Sequence, residues 1–248
     1  AGVTAIDFSP DGKLIVTAAT SGEDGEPPGL VVHDAGTGTD LRALAAQEIA
    51  DEGLTDIAYS PDGGRVAALT EGSTVIFWET RSWSRERTVN LGREISDAGS
   101  LAFGPDGRVL AAVGVDGIVS IVEAETGREL HRMRQVGNGL HTVAFSPDGG
   151  QVAATANFGP PRVPIWDVQT GSLLQVLEDP GFPVGIAYSP DGRRIATADN
   201  DGRVRVWNAR TGHVVRTLEG HAGSVWGVAY SPDGRLIASA GDHDIRIW

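Results

Sequence analysis

Residues 220–248 read GHAGSVWGVAYSPDGRLIASAGDHDIRIW, and this stretch decides the fold. An alternating segment at 224–230 leads into the turn Ser231-Pro232-Asp233-Gly234, which is followed by small residues at 236–240, an acidic turn and a last segment ending at Trp248. Short runs of alternating apolar and polar residues that are separated by turn residues predict β-strands. We therefore predict an antiparallel sheet unit here.

The turn signature of this stretch occurs six times along the chain. Its prolines are Pro10, Pro61, Pro105, Pro147, Pro190 and Pro232, with spacings of 51, 44, 42, 43 and 42 residues. In each copy proline sets φ for a type I turn, aspartate bonds back to the backbone, and glycine tolerates the left-handed conformation that follows. A repeat of this length is typical of one four-stranded propeller blade.

The whole chain is accounted for by these repeats. We predict a single all-β domain over residues 1–248, with blades that begin near residues 1, 54, 97, 139, 182 and 224. Residues 41–51 alone show a weak helical period. The last repeat ends in its third strand, so we expect a blade without its outer strand and an incomplete domain. Two arrangements stay open: a six-bladed ring with one three-stranded blade, or a larger ring that has a further blade.

Composition limits the functions that the chain can have. It has 33 acidic and 20 basic residues, a net charge of -13, and no cysteine. Such a charge opposes binding to phosphate backbones, and the absence of cysteine excludes disulfides, thiolate metal sites and a cysteine nucleophile. We predict no nucleic acid partner, no membrane insertion, no cofactor and no metal, and we expect a cytoplasmic location.

The ends of the predicted third strands carry a family resemblance. Trp-Asp occurs at Trp166-Asp167 and in weakened form at Trp78-Glu79 and Trp207-Asn208, and Gly220-His221 precedes the last repeat. The chain resembles the WD-repeat β-propeller family over all 248 residues. The resemblance implies four-stranded antiparallel blades whose rim binds other proteins or other domains of the same parent chain.

The resemblance also implies a hydrogen-bonded set of His, Ser or Thr, Asp and Trp within a blade. In the last repeat the corresponding residues are His221, Ser239, Asp242 and Trp248, with Asp244 as the alternative aspartate because the turn is one residue shorter. In the fifth repeat they are Thr197, Asp201 and Trp207, with Asp179 in the place of His. A His-Ser-Asp group also suggests a hydrolase, but Ser239 lies in the middle of a strand without a glycine elbow to expose it. We predict a structural role and no enzyme activity.

Expanded loops mark one rim of the predicted array. In an up-and-down blade, the loop after the second strand and the entry to the first strand lie at the same end. Two of the expansions carry the acidic residues Glu23, Asp24, Glu26, Glu48, Asp51 and Glu52. One hypothesis is a docking edge for a basic partner. The alternative is that exposed loops are simply polar and variable.

The entries to the first strands form a second group of candidates on that rim. The residues six positions before each turn proline are Thr4, Thr55, Gly99, His141, Val184 and Trp226. Trp226 is the best candidate for partner contact because a large aromatic offers much area at little entropic cost; the alternative is that its indole packs between strands. We interpret His141 as an exposed polar residue, since no second ligand stands at metal spacing. Asn200 joins this rim by the family resemblance.

The predicted function is that of a non-catalytic scaffold or sensor platform for protein–protein interaction. We expect it to be part of a larger multidomain regulatory protein of bacterial type, and the richness in Ala, Gly, Asp and Arg suggests a high-GC genome. The alternative is a propeller that binds a small ligand or acts as an enzyme through its central channel. The Thr, Gly and Val at the strand entries argue against that alternative.

Overall fold

The described residues are entirely β-structure and turns. The computed structural model describes residues 2–19, 29–44, 53–92, 99–134, 139–156 and 159–248, and in these ranges it contains strands β1 to β23 and no helix. The strands form six antiparallel sheets, five with four strands and the last with three. Strands that follow one another in the chain lie side by side, which is the up-and-down order of propeller blades. The predicted all-β propeller of four-stranded blades is confirmed.

The first three blades have these strands. Blade one comprises β1 (Val3–Phe8), β2 (Leu14–Ala19), β3 (Gly29–Asp34) and β4 (Asp40–Leu44). Blade two comprises β5 (Leu54–Tyr59), β6 (Arg65–Thr70), β7 (Thr74–Glu79) and β8 (Ser84–Asn90). Blade three comprises β9 (Ser100–Phe103), β10 (Val109–Val113), β11 (Ile118–Glu123) and β12 (Glu129–Arg134).

The remaining blades follow the same order. Blade four comprises β13 (Leu140–Phe145), β14 (Gln151–Ala156), β15 (Arg162–Asp167) and β16 (Leu173–Glu178). Blade five comprises β17 (Pro183–Tyr188), β18 (Arg194–Asp199), β19 (Arg203–Asn208) and β20 (Val214–Glu219). Blade six comprises β21 (Val225–Tyr230), β22 (Ile237–Gly241) and β23 (Ile245–Ile247).

The repeated turn joins the first and second strands of a blade. In blade six, Gly234 N donates to Ser231 O at 2.8 Å and Gly234 adopts φ +70°, a conformation that costs glycine little. Ser231 Oγ donates to Asp233 Oδ1 at 2.6 Å and accepts from Leu236 N at 3.0 Å. The turn therefore satisfies its own polar groups, which explains why one short signature can serve at this reversal in successive blades.

The described residues divide into two compact units. The first comprises Ala1–Gly114 and Ser120–Leu130, and its core includes the fully buried Leu54, Leu69, Phe77 and Trp78. Neighbouring blades of this unit share apolar clusters, so each blade covers one face of the next. Packing of this kind buries the apolar faces of sheets that could not be stable alone.

The second unit comprises Val115–Val119 and His131–Trp248. In blade five, Val204 and Val206 are 0% and 4% exposed because they pack against Val225 and its neighbours in blade six. The matching residues of blade six, Ile245 and Ile247, are 76% and 63% exposed. Blade six therefore has one uncovered apolar face.

The stretch with a weak helical period, residues 41–51, is a strand where the structure describes it, in agreement with the all-β prediction. Leu41 to Leu44 belong to β4, and Leu44 pairs with Leu30 of β3. A ladder to a neighbouring strand satisfies every second backbone group, and this tertiary pairing outweighs a short stretch of helical propensity. Residues 45–51 lie outside the described residues.

Candidate interaction surface

The entry to β21 and the turn between β22 and β23 lie at the same end of blade six. Ser224 N, just before β21, donates to Asp242 Oδ2 at 3.0 Å, and Trp226 Nε1 donates to Asp242 Oδ1 at 2.6 Å. This confirms for blade six that the two kinds of loop share one end. We call the surface made by Phe182, Asn200, Ser224, Trp226 and Asp242 the entry rim.

Trp226 is the largest side chain of the entry rim, and the structure places it in solvent. It is 53% exposed, so its indole does not pack between strands. Its only polar atom is satisfied by Asp242, which holds the ring in one orientation. The predicted exposed aromatic is therefore present, and it is anchored.

Phe182 is a rim residue that sequence reasoning missed. It is 47% exposed and has φ +60°, a left-handed conformation that costs a non-glycine residue roughly 1–2 kcal/mol. The conformation is set by the turn before β17, in which Gly181 N donates to Asp179 Oδ1 at 3.0 Å. An aromatic between Gly181 and Pro183, inside a turn, was the signal in the sequence.

Asn200 links the two halves of the entry rim through its backbone. Asn200 N donates to Phe182 O at 3.1 Å, and Ser224 Oγ donates to Asn200 O at 3.2 Å. Asn200 is exposed, as the resemblance implied, and its main chain connects blade five to blade six. Phe182 and Trp226 therefore belong to one hydrogen-bonded surface.

Close backbone packing beneath this surface requires a glycine. A Cβ on Gly185 would lie 2.8 Å from Trp226 O and 3.3 Å from Gly227 Cα. β17 and β21 therefore approach each other at a point where neither backbone has room to move aside. This contact fixes the height of Trp226 relative to blade five.

His141 differs from its interpretation as an exposed polar residue. It is partly buried, and its Nδ1 lies 3.1 Å from Val184 O, a backbone acceptor in blade five. Burial lowers the pKa of His141, which favours the neutral imidazole with its Nδ1 proton on that carbonyl. Val184 itself is buried. These two positions connect blades and present little surface to a partner.

The corresponding positions of the first unit are also used within the fold. Thr4 Oγ1 donates to Leu54 O at 2.8 Å, Thr55 Oγ1 donates to Leu69 O at 3.3 Å, and Gly99 is buried. The two threonine side chains therefore tie strands together.

Two aspartates of the first unit were not anticipated. Asp7 Oδ2 accepts from Tyr59 N at 2.7 Å and Asp56 Oδ2 accepts from Leu101 N at 2.8 Å, so each joins its first strand to that of the next blade. Burial raises the pKa of Asp56 to about 6. Both carboxylates accept backbone N–H donors, which indicates a structural role.

The acidic docking edge cannot be placed. Its residues lie outside the described part of the chain: Glu23, Asp24, Glu26, Glu48, Asp51 and Glu52. The hypothesis that they attract a basic partner stays a prediction.

The implied hydrogen-bonded set of blade six is present, with Asp244 as its aspartate. His221 Nδ1 lies 2.5 Å from Asp244 Oδ1, His221 Nε2 lies 2.7 Å from Ser239 Oγ, and Trp248 Nε1 donates to Ser239 Oγ at 2.9 Å. The assignment of Asp242 to this set is therefore corrected. The shorter turn carries Asp242 outward to the entry rim and brings Asp244 under His221.

Blade five builds a different set around an arginine. Trp207 Nε1 donates to Thr197 Oγ1 at 3.1 Å, and Thr197 Oγ1 donates to Asp179 Oδ2 at 2.9 Å. Asp201 does not contact this pair directly, because its carboxylate accepts from the guanidinium of Arg205 at 2.6 and 3.1 Å. Arg205 also forms ion pairs with Asp179 and Asp199.

Three carboxylates, those of Asp179, Asp199 and Asp201, share Arg205 in blade five, and Arg203 pairs with Asp201 as well. Burial, followed by the charge of Asp179, raises the pKa of Asp199 to about 8, and burial also raises the pKa of Asp179. Asp199 Oδ2 accepts from Arg205, whereas its buried Oδ1 has no hydrogen-bond donor among the residues that the structure describes. Oδ1 is therefore the atom at which a proton would be held.

These side chains do not form a reactive centre. Ser239 is 2% exposed, and its oxygen is bonded to both His221 and Trp248, so it is not presented to a substrate. Among the described residues no cluster of three or more His, Asp or Glu could hold a metal ion, and no helix could span a membrane. What the entry rim offers is an aromatic, partly charged surface for contact.

Two family models match the chain. The WD domain, G-beta repeat, matches residues 1–26, 171–208 and 212–248, and the anaphase-promoting complex subunit 4 WD40 domain matches residues 57–148. Between them they cover part of every blade, and in blade four they leave out residues 149–170.

Similar curated proteins carry the same repeats. WD repeat-containing protein SL1-17 of Schistosoma mansoni is 29% identical over 180 residues, which are 72% of this chain and 58% of the relative. WD repeat-containing protein VIP3 of Arabidopsis thaliana is 27% identical over 174 residues, 63% of this chain and 53% of the relative. Transducin beta-like protein 3 of Bos taurus is 25% identical over 190 residues, 75% of this chain and 23% of the relative.

The relatives bear on the source and the extent of the chain. All three are eukaryotic, so they do not support the expected bacterial source. The chain spans at most 58% of the length of these relatives. The recurring turn, the six blade sheets and the two matching models together show that the chain belongs to the WD-repeat β-propeller family.

Proposed function

We propose that the chain is a non-catalytic platform on which other proteins dock, and that the entry rim of blades five and six is a docking surface. The observation that carries the proposal is Trp226, a large aromatic that is half exposed and yet held by a 2.6 Å hydrogen bond. Membership of the WD-repeat family supports a general role as a protein-interaction scaffold.

Anchoring favours binding because the free protein already has the bound geometry. An exposed tryptophan with a free rotor loses side-chain entropy when a partner immobilises it. The hydrogen bond to Asp242 and the close packing at Gly185 already restrict Trp226 in the free protein, so less entropy is lost on binding. Phe182 adds a second exposed ring on the same hydrogen-bonded surface, and paired aromatics are frequent centres of binding energy.

A catalytic role has less support. In the described group of His221, Ser239 and Asp244, the serine is buried and its oxygen is bonded to both His221 and Trp248. For the alternative of a ligand in the central channel, Asp7 and Asp56 would be the ionisable candidates, but backbone amides occupy both. We therefore favour a protein-binding role over a catalytic one.

The wider setting is also part of the proposal. Because the chain spans only part of each relative, a place within a larger multidomain regulatory protein is consistent with the comparisons. The cytoplasmic location and the sensor role rest on composition and on the family resemblance alone.

A peptide-display experiment tests the docking surface. A random twelve-residue library would be selected on the immobilised protein and on the Trp226→Leu and Phe182→Asn variants. We expect the wild type to retain peptides that both variants fail to retain. Leu173→Asn is the matched control, because Leu173 is 52% exposed on the outer strand β16, away from the strand entries. Peptides retained equally by all four proteins, or by none, would contradict the proposal.

A further inference from the structure

We infer that Trp226 and Asp242 together form a receptor for a cationic side chain, and specifically for an arginine of the docking partner. The inference rests on the proposed function and names the chemistry of the partner. Three observations support it. They are the hydrogen-bond partners of Asp242, the exposure of the Trp226 indole, and the ion pairs of the other charged residues at this end of the blades.

The carboxylate of Asp242 lies at the edge of the indole and bonds only to neutral donors among the described residues. Its Oδ1 accepts from Trp226 Nε1 and its Oδ2 accepts from Ser224 N, so both donors are neutral. Within the described residues no Lys, Arg or His forms an ion pair with it. A carboxylate oxygen can accept two hydrogen bonds, so each oxygen of this exposed carboxylate has a further position for a donor from outside the chain.

Two other carboxylates at this end of blades five and six, Asp201 and Asp244, already have cationic partners. Asp244 accepts from Arg246 Nε at 2.7 Å. Asp201 forms ion pairs with Arg203 at 3.1 Å and with Arg205 at 2.6 Å. The same bonds engage Arg203, Arg205 and Arg246, so these arginines of the described part of the chain are less available to an acidic partner. The carboxylate of Asp242 stands directly beside the exposed ring of Trp226.

An arginine fits this combination of groups. A guanidinium stacks on an indole face through cation–π attraction and donates N–H groups in its own plane, so it can lie on Trp226 and reach over the ring edge to the carboxylate. A lysine ammonium is a more strongly hydrated point charge and uses the flat face less well. The chain's net charge of -13 attracts basic segments from a distance.

Titration with a minimal probe tests the receptor directly. N-acetylarginine amide would be added to the ¹⁵N-labelled protein, and the indole N–H signal of Trp226, assigned with Trp226→Phe, would be followed. We expect a saturable shift in the millimolar range, with affinity about tenfold lower in Asp242→Asn, which keeps an oxygen acceptor for the indole but loses the charge. Asp233→Asn, at the opposite end of β22, should behave as the wild type. An equal shift from N-acetylcitrulline amide, or no loss in Asp242→Asn, would overturn the inference.

The display experiment separates this inference from the proposed function. Peptides that depend on Trp226, carry arginine at one position and lose binding about tenfold in Asp242→Asn would support both. Peptides that depend on Trp226 but are apolar or acidic would overturn the arginine receptor and leave the docking surface standing. Peptides that ignore Trp226 would overturn both.

Discussion

Asp179 Oδ2 accepts a hydrogen bond from Thr197 Oγ1 at 2.9 Å in blade five, where blade six places His221 Nε2 2.7 Å from Ser239 Oγ. Blade five has an aspartate where blade six has a histidine, and this difference changes the charge beneath the tryptophan of the blade. A neutral His can donate to an aspartate, whereas a second carboxylate needs a cation between itself and its acidic neighbours. Arg205 fills that role by forming ion pairs with Asp179 and Asp199, whereas in blade six Arg246 pairs with the single aspartate Asp244.

The buried acidic group should make stability depend on pH. The pKa of Asp199 is raised from its ordinary value of 3.8 to about 8, so between these values the folded state binds more protons than the unfolded state. The free energy of unfolding should therefore fall by roughly 2–4 kcal/mol as pH rises from about 4 to about 8. Urea denaturation at several pH values measures this.

Asp199→Asn is the variant that identifies the source of that dependence. It keeps the side-chain shape and cannot ionise, so most of the fall in stability should disappear; a smaller part below pH 6 should stay because the pKa of Asp56 is also raised, to about 6. Asp233→Asn, on the exposed turn, is the control and should keep the full dependence. An unchanged profile in Asp199→Asn would show that Asp199 is ionised at neutral pH.

Removing the hydroxyl of Ser239 should destabilise blade six. Ser239→Ala leaves His221 Nε2 and Trp248 Nε1 without their partner in a largely buried site, which should lower the free energy of unfolding by about 1–3 kcal/mol. Ser239→Thr is the matched control, because Thr197 occupies the same place in blade five. Chemical denaturation followed by tryptophan fluorescence measures both. Equal stability of the Ala and Thr variants would argue against the hydrogen-bonded set.

Gly185→Ala should weaken the packing of blade five on blade six. The added Cβ would lie 2.8 Å from Trp226 O. Because this oxygen belongs to the backbone and cannot move aside like the end of a side chain, β17 and β21 must separate. We expect a loss of about 1–3 kcal/mol in the free energy of unfolding. Gly227→Ala is the control, since a Cβ there meets nothing within 4 Å. Thermal melts of the two variants should differ, and matching melting temperatures would contradict the close approach.

Phe182→Asn should separate stability from binding. Asparagine tolerates φ +60° better than phenylalanine, so the variant should be as stable as the wild type or more stable by up to about 1 kcal/mol. Its retention of displayed peptides should nevertheless fall, because the exposed ring is lost. If its stability drops clearly, the ring packs within the fold and is not a contact residue.

The repeated pattern predicted most of the fold because its causes are local. Each Ser-Pro-Asp-Gly turn satisfies its own hydrogen bonds, as Ser231 and Asp233 do, so a short signature is enough to place a strand reversal. The segment at residues 41–44 has a weak helical period, and its strand conformation rests on pairing with the edge of β3.

The candidate site was predicted less completely because it depends on which side chains contact each other in the folded chain. Trp226 was found by its size and position, but Phe182 was missed, since nothing in a turn's composition says which side chain points outward. The two aspartates of the last turn could not be told apart by counting. A turn shorter by one residue places Asp244 on His221 and Asp242 on Trp226.

By itself the sequence determined the six repeats, the blade sheets and the family, because turn chemistry and strand alternation act between near neighbours in the chain. Only the tertiary structure decided which carboxylate is neutralised, which aromatic is held in solvent and which histidine is buried. These properties arise from contacts between separate strands and turns. Asp242 contacts Trp226, which is 16 residues away in the sequence, and His141 contacts Val184, which is 43 residues away. Burial and hydrogen bonding at such contacts set the charge and exposure of a side chain, and neither can be read from its neighbours in sequence.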